Sequence, residues 1–138
     1  MRYAIITLFL LLPFITNAQK LARYTTGTPG NDDFFEISFW SDKKIVYKKG
    51  RDSKEYNVQY LGVTFYQNEK ALMLQLQDNT TLRALPFEDG RVTLSGMASS
   101  YYKILKWVHD GPKNQKGVCL SCTVDEKEAY GLLRKAYM

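Results

Sequence analysis

Through the middle of the chain, apolar and polar residues alternate one for one in short runs broken by turn-forming residues, the period of strands with one buried and one wet face. In residues 34–40, Phe35, Ile37 and Phe39 share one face, and Glu36, Ser38 and Trp40 the other. Ser41-Asp42-Lys43 makes a short turn, and residues 44–48 return as the hairpin partner before Gly50-Arg51-Asp52-Ser53 turns the chain again. Residues 55–60 and 63–66 are the next strands, with Gly62 allowing a bend or bulge between them. Leu72, Leu74 and Leu76 alternate with Met73, Gln75 and Gln77 in the cleanest period-two run. Asp78-Asn79 turns this run into residues 80–85, where Pro86 ends the strand or marks an edge, and Glu88-Asp89-Gly90 leads into residues 91–94. Short strands at near-regular spacing predict a small antiparallel sheet that curls into a barrel or packs as a sandwich.

Three stretches read differently. Residues 19–33 carry Thr25-Thr26-Gly27-Thr28-Pro29-Gly30-Asn31-Asp32-Asp33, turn chemistry without periodicity, and are expected to be a loop or extended arm ahead of a single domain over 34–138. Residues 99–110 fit two periods. A strand puts Tyr102, Ile104, Lys106 and Val108 on one face, whereas a helix groups Tyr101, Ile104, Leu105 and Val108 and leaves Lys103 and Lys106 outside. The helix separates polar from apolar better and has Ser99 or Ser100 to cap it and Gly111-Pro112 to stop it, so a second helix is expected there, against the β-propensity of its Tyr, Ile, Trp and Val. Residues 118–122 read as a short last strand. Thr123-Val124-Asp125-Glu126 then has capping-box spacing ahead of a C-terminal helix with Tyr130, Leu133 and Tyr137 on one face. The fold class is mainly β within α+β.

The N-terminus changes the setting of this domain. Arg2, an apolar run from Ala4 to Leu12, and Thr16 and Ala18 at the −3 and −1 positions before Gln19 have the three parts of a secretory signal, so residues 1–18 are expected to be removed on export to the periplasm or beyond the cell. The apolar run is broken by Pro13 and is too short to span a membrane. Without residues 1–18 the formal charge is +4 in place of +5. That mild surplus fits an acidic protein or envelope polymer, and export argues against nucleic acid.

Candidate chemistry is sparse. Cys119-Leu120-Ser121-Cys122 has C-x-x-C spacing, but no βαβ unit surrounds it and no second cysteine pair or His cluster completes a zinc site. An exported chain favours a local Cys119–Cys122 disulfide, which on a strand requires a bend to bring both thiols together. His109-Asp110 lacks a nucleophile in an elbow, and Asp32, Asp33 and Glu36 lack calcium-loop spacing, so the expectation is no catalytic residues, no metal and no cofactor. Lys43, Lys44, Lys48, Lys49, Arg51 and Lys54 crowd one strand and its turns around Tyr47, either as an anion-binding rim or as guards of an exposed sheet edge. Trp40, on the presumed outer face, joins Lys44, Tyr47, Lys48, Lys49 and Arg51 as candidate binding residues.

The segment Leu94-Ser95-Gly96-Met97-Ala98-Ser99-Ser100-Tyr101 is similar to the Ser-Gly-Ala-Arg-Tyr region of small periplasmic lysozyme inhibitors of the membrane-bound C-type inhibitor family. The similarity covers under a tenth of the chain, lacks the Arg and disagrees in cysteine placement, so no residue role is carried over. The leading expectation is an exported, non-enzymatic module that binds another protein, of the inhibitor or immunity type. The alternatives are a barrel that binds a small ligand or envelope polymer in an apolar cavity lined by side chains such as Leu72, Leu74 and Phe65, and a thiol-active protein using Cys119 and Cys122.

Overall fold

A computed structural model describes residues 18–109 and 125–138. Among the described residues, eight antiparallel strands follow one another in sequence and in space: β1 (Lys20–Thr26), β2 (Phe35–Trp40), β3 (Ile45–Lys49), β4 (Tyr56–Tyr66), β5 (Glu69–Gln75), β6 (Thr81–Pro86), β7 (Arg91–Gly96) and β8 (Tyr102–Trp107). β8 pairs back onto β1 through Tyr24 with Trp107 and Thr25 with Lys106, which closes the sheet into a barrel. The helix α1 (Glu126–Tyr137) lies beyond them in sequence. The expected β-rich fold with a C-terminal helix is therefore present, as a barrel.

The alternating side chains fill the barrel. Phe35, Ile37 and Phe39 of β2, Ile45 and Tyr47 of β3, Leu72 and Leu74 of β5, Leu82 and Ala84 of β6, Val92 and Leu94 of β7 and Leu105 of β8 all belong to one buried cluster. An eight-stranded barrel is just wide enough for such side chains to fill its interior. Three of its hairpin turns repeat one local design. Asp42, Asp78 and Asp89 each accept a hydrogen bond from the backbone N–H two residues on, at 3.0, 3.0 and 3.1 Å. The residue between, Lys43, Asn79 or Gly90, takes positive φ. A carboxylate that mimics a backbone turn, followed by a left-handed residue, folds the strand back within a few residues.

Two expectations are corrected. Residues 20–26 are strand β1, not an arm, although 27–34 do form a loop. A bulge shifts the register between Lys20 and Ala22, so Leu21 and Ala22 are both buried beside Tyr24 and the period-two signal is broken. Residues 102–107 are strand β8, not a helix. Leu105 points inward while Tyr102 and Ile104 lie exposed on the outer wall, 59% and 44% accessible, and Lys103 takes an inward position near the barrel end. That strand wears apolar groups outside and a lysine inside, the reverse of the usual pattern. The edges of β1 and β7 supply the backbone partners that decide its conformation.

The expected bulge at Gly62 is present as a register shift between Tyr60 and Gly62, within one long strand. At the helix, Asp125 rather than Thr123 is the N-cap, its carboxylate accepting from the Glu128 N–H at 2.8 Å. Ala129, Leu133 and Tyr137 are the buried face, and Tyr130 lies at its margin. Cys119, Cys122, Asp110, the strand expected at 118–122 and residues 1–17 of the export signal lie outside the described residues.

Candidate functional site

The two ends of the barrel differ. At one end α1 is a plug, its Ala129, Leu133 and Tyr137 joining the barrel core. The Tyr137 ring meets Phe39 and Tyr60 edge-on at 5.7 and 5.2 Å. Its hydroxyl donates to the Trp40 carbonyl at 2.6 Å and lies 3.3 Å from that of Lys44, while the Tyr60 hydroxyl donates to the Tyr137 carbonyl. Gly90 lets the helix approach the β6–β7 turn, since a Cβ there would stand 2.9 Å from the Glu126 side chain.

The other end gathers the four loops 27–34, 50–55, 76–80 and 97–101, and among the described residues no element covers it. Between them lies a cavity of about 420 Å³, with Phe35, Leu76, Thr80 and Tyr101 among its apolar and hydroxyl walls and Asp32, Lys49, Asp78 and Lys103 as its charged groups. Phe35 stacks on Tyr47 one layer further in, at 5.7 Å and 11°, and Tyr47 stacks on Tyr56 at 5.1 Å and 23°. The Lys103 ammonium sits 5.8 Å from the Phe35 ring and 5.6 Å from that of Tyr101, a range in which cation–π attraction holds it.

The electrostatics of this mouth are set by burial and by Asp78. Burial pushes the Tyr101 phenol up to about 12, with the Asp78 charge and Tyr47 adding to it. Burial likewise raises Tyr47, and Asp78 raises it further, opposed by a hydrogen bond from the Gln77 backbone. The Thr80 hydroxyl and backbone N–H hold the Asp78 carboxyl below its ordinary range, and Lys49 adds to that. Both phenols are therefore neutral hydrogen-bond donors at physiological pH, beside a fixed carboxylate.

The candidate binding residues do not form one patch. Tyr47 lies inside the barrel, and Lys49 lines the mouth. Arg51 is in the mouth's loops, 3.1 Å from Asp32. Lys48 points outward, 3.8 Å from Glu55. Trp40 and Lys44 are at the plugged end, where the ammonium groups of Lys20 and Lys44 stand 5.1 and 5.6 Å from the half-buried Trp40 ring. The lysines of β3 do not guard a sheet edge, because β3 is paired on both sides. The cavity expected around Leu72, Leu74 and Phe65 is not formed: the two leucines are packed solid and Phe65 is 71% exposed outside.

Tyr101, Lys103 and Asp78 are the mouth residues that sequence reasoning missed. Reading residues 99–110 as a strand would have placed Tyr101, Lys103 and Leu105 on one inward face. Elsewhere, Glu36 pairs with Arg23 at 3.3 Å and the His109 ring lies edge-on to Trp107 at 5.8 Å. Among the described residues, no three His, Cys, Asp or Glu side chains are grouped to hold a metal ion, and no helix is long and apolar enough to cross a membrane. No protein-family profile, curated protein or solved structure matches this chain.

Proposed function

We propose that the protein is an exported, non-enzymatic binding module whose open barrel end takes up a small ligand. One observation carries this reading: the barrel is plugged by α1 at one end, while the other opens into a cavity of about 420 Å³ floored by aromatic rings. That volume lies in the range of small-molecule pockets, which combine apolar walls with a few placed polar groups. Neutral phenols, a fixed carboxylate and two lysines supply those groups. The supporting geometry arranges donors and rings for binding, with no nucleophile paired to a base among them.

The test is amide NMR of the protein titrated with fractions of small molecules extracted from its own exported compartment. Binding that shifts Phe35, Leu76 and Tyr101 supports the reading, and binding that shifts only residues outside the mouth overturns it. A protein partner is the second reading, favoured by the exposed Met97, Tyr102 and Ile104 on the β7–β8 hairpin. Affinity capture from envelope and culture fractions separates the two. A stoichiometric protein partner lost on replacing Tyr102 and Ile104 by Ser would make the hairpin, rather than the cavity, the functional surface.

A further inference from the structure

Resting on the reading that the open end is a ligand pocket, we infer that its ligand is a small amphipathic anion, a flat apolar body carrying one carboxylate that Lys103 receives. The charge balance of the cavity argues for it. Of its four charged groups, Asp32 is already answered by Arg51 at 3.1 Å. Asp78 is answered by the Thr80 hydroxyl and N–H and by the nearby Lys49. Lys103 is left. Its ammonium rests against the Phe35 and Tyr101 rings and has no carboxylate partner among the described residues.

Covering that ammonium with a neutral body would strip its water without replacing it, which is costly for an unpaired charge. A cationic ligand would meet Lys103 and Lys49 together. A carboxylate instead gains a charge-assisted hydrogen bond from Lys103, and Tyr101, whose ring stands 5.6 Å from that ammonium, carries a hydroxyl kept protonated by its burial. The body of the ligand is set by the walls. Phe35 and Tyr101 both line the cavity, so the wall beside Lys103 is aromatic. A planar apolar body gains ring contacts there beyond the area it buries.

The experiment compares three probes with one body and three head groups: naphthoate, naphthylmethanol and naphthylmethylammonium, each titrated into the protein by calorimetry with amide NMR to locate the contact. Naphthoate is expected to bind at least about tenfold more tightly than the alcohol, with the amine weakest. Lys103→Met should remove the preference for naphthoate while leaving affinity for the alcohol within about twofold. Rising salt should weaken naphthoate alone on the unaltered protein, a readout that stands if the variant fails to fold. If the alcohol or the amine binds as tightly as naphthoate and shifts mouth residues, the pocket stands and the anion inference is overturned. If none of the three binds at the mouth, the pocket reading fails, and the inference falls with it.

Discussion

Tyr137 is where the plug meets the barrel, and its two functional parts can be separated by two substitutions. Tyr137→Phe removes only the hydroxyl. The Trp40 carbonyl keeps the Lys43 N–H at 3.2 Å and the Lys44 carbonyl keeps the Trp40 N–H at 2.9 Å, so neither is orphaned. The loss is then that of a single net hydrogen bond, about 1 kcal/mol. Tyr137→Ala also removes a ring that is only 3% exposed and packs edge-on against Phe39 and Tyr60. Emptying such a site costs about 3–5 kcal/mol. Urea unfolding measures both losses, and amide hydrogen exchange shows whether the Ala variant releases residues 126–137 while the barrel amides stay protected. A Phe variant as damaging as the Ala variant, or an Ala variant costing under about 1 kcal/mol, would refute the view of Tyr137 as a packed anchor with an auxiliary hydrogen bond.

Other consequences are open to direct measurement. Gly131 lies in mid-helix with nothing within 4 Å of the position a Cβ would take, so Gly131→Ala should raise stability by about 1 kcal/mol in urea unfolding. Lys43 holds φ 67° in the β2–β3 turn, and Lys43→Gly should gain about 1 kcal/mol by relieving the left-handed strain. Leu74, fully buried in the barrel, should cost about 2–5 kcal/mol on replacement by Ala, read by the same method. Burial raises the phenols of Tyr24, Tyr101 and Tyr137 above their ordinary value of 10.0. Below pH 10 these groups are neutral in both states and their contribution is complete. Above it the unfolded chain ionises first, so stability should fall as pH rises from 10 through about 12, where Tyr101 ionises in the fold. Urea midpoints that hold constant across that window would contradict the burial of these hydroxyls.

The parts of the fold that could be read from sequence are those decided locally. β2, β3, β5, β6 and β7 each show their alternation, and the Asp-containing turns are visible as turn residues because the carboxylate acts two residues along its own chain. β1 was hidden by a bulge that puts Leu21 and Ala22 both inside, and β8 by a lysine placed inward where the barrel interior meets water. Neither departure can be anticipated without knowing where the barrel ends. The choice of barrel over sandwich rests on the pairing of β1 with β8, which no local pattern encodes. The mouth suffered for the same reason. Phe35, Asp78 and the Tyr101–Lys103 pair come from three separate hairpins, which the closed barrel brings together at one end.

That closure also divides the barrel's pairings into local ones and a single distant one. Every strand pair except β1–β8 joins neighbours in sequence, so seven of the eight pairings can form by local zipping as hairpins. The pairing of Tyr24 with Trp107 brings together the two ends of the sheet-forming stretch and must carry a far larger loop-closure entropy. Until it forms, β1 and β8 each present a bare row of backbone donors and acceptors to any other chain nearby. An unclosed sheet thus carries two adhesive edges at once, and the meeting of Tyr102–Trp107 with β1 removes both.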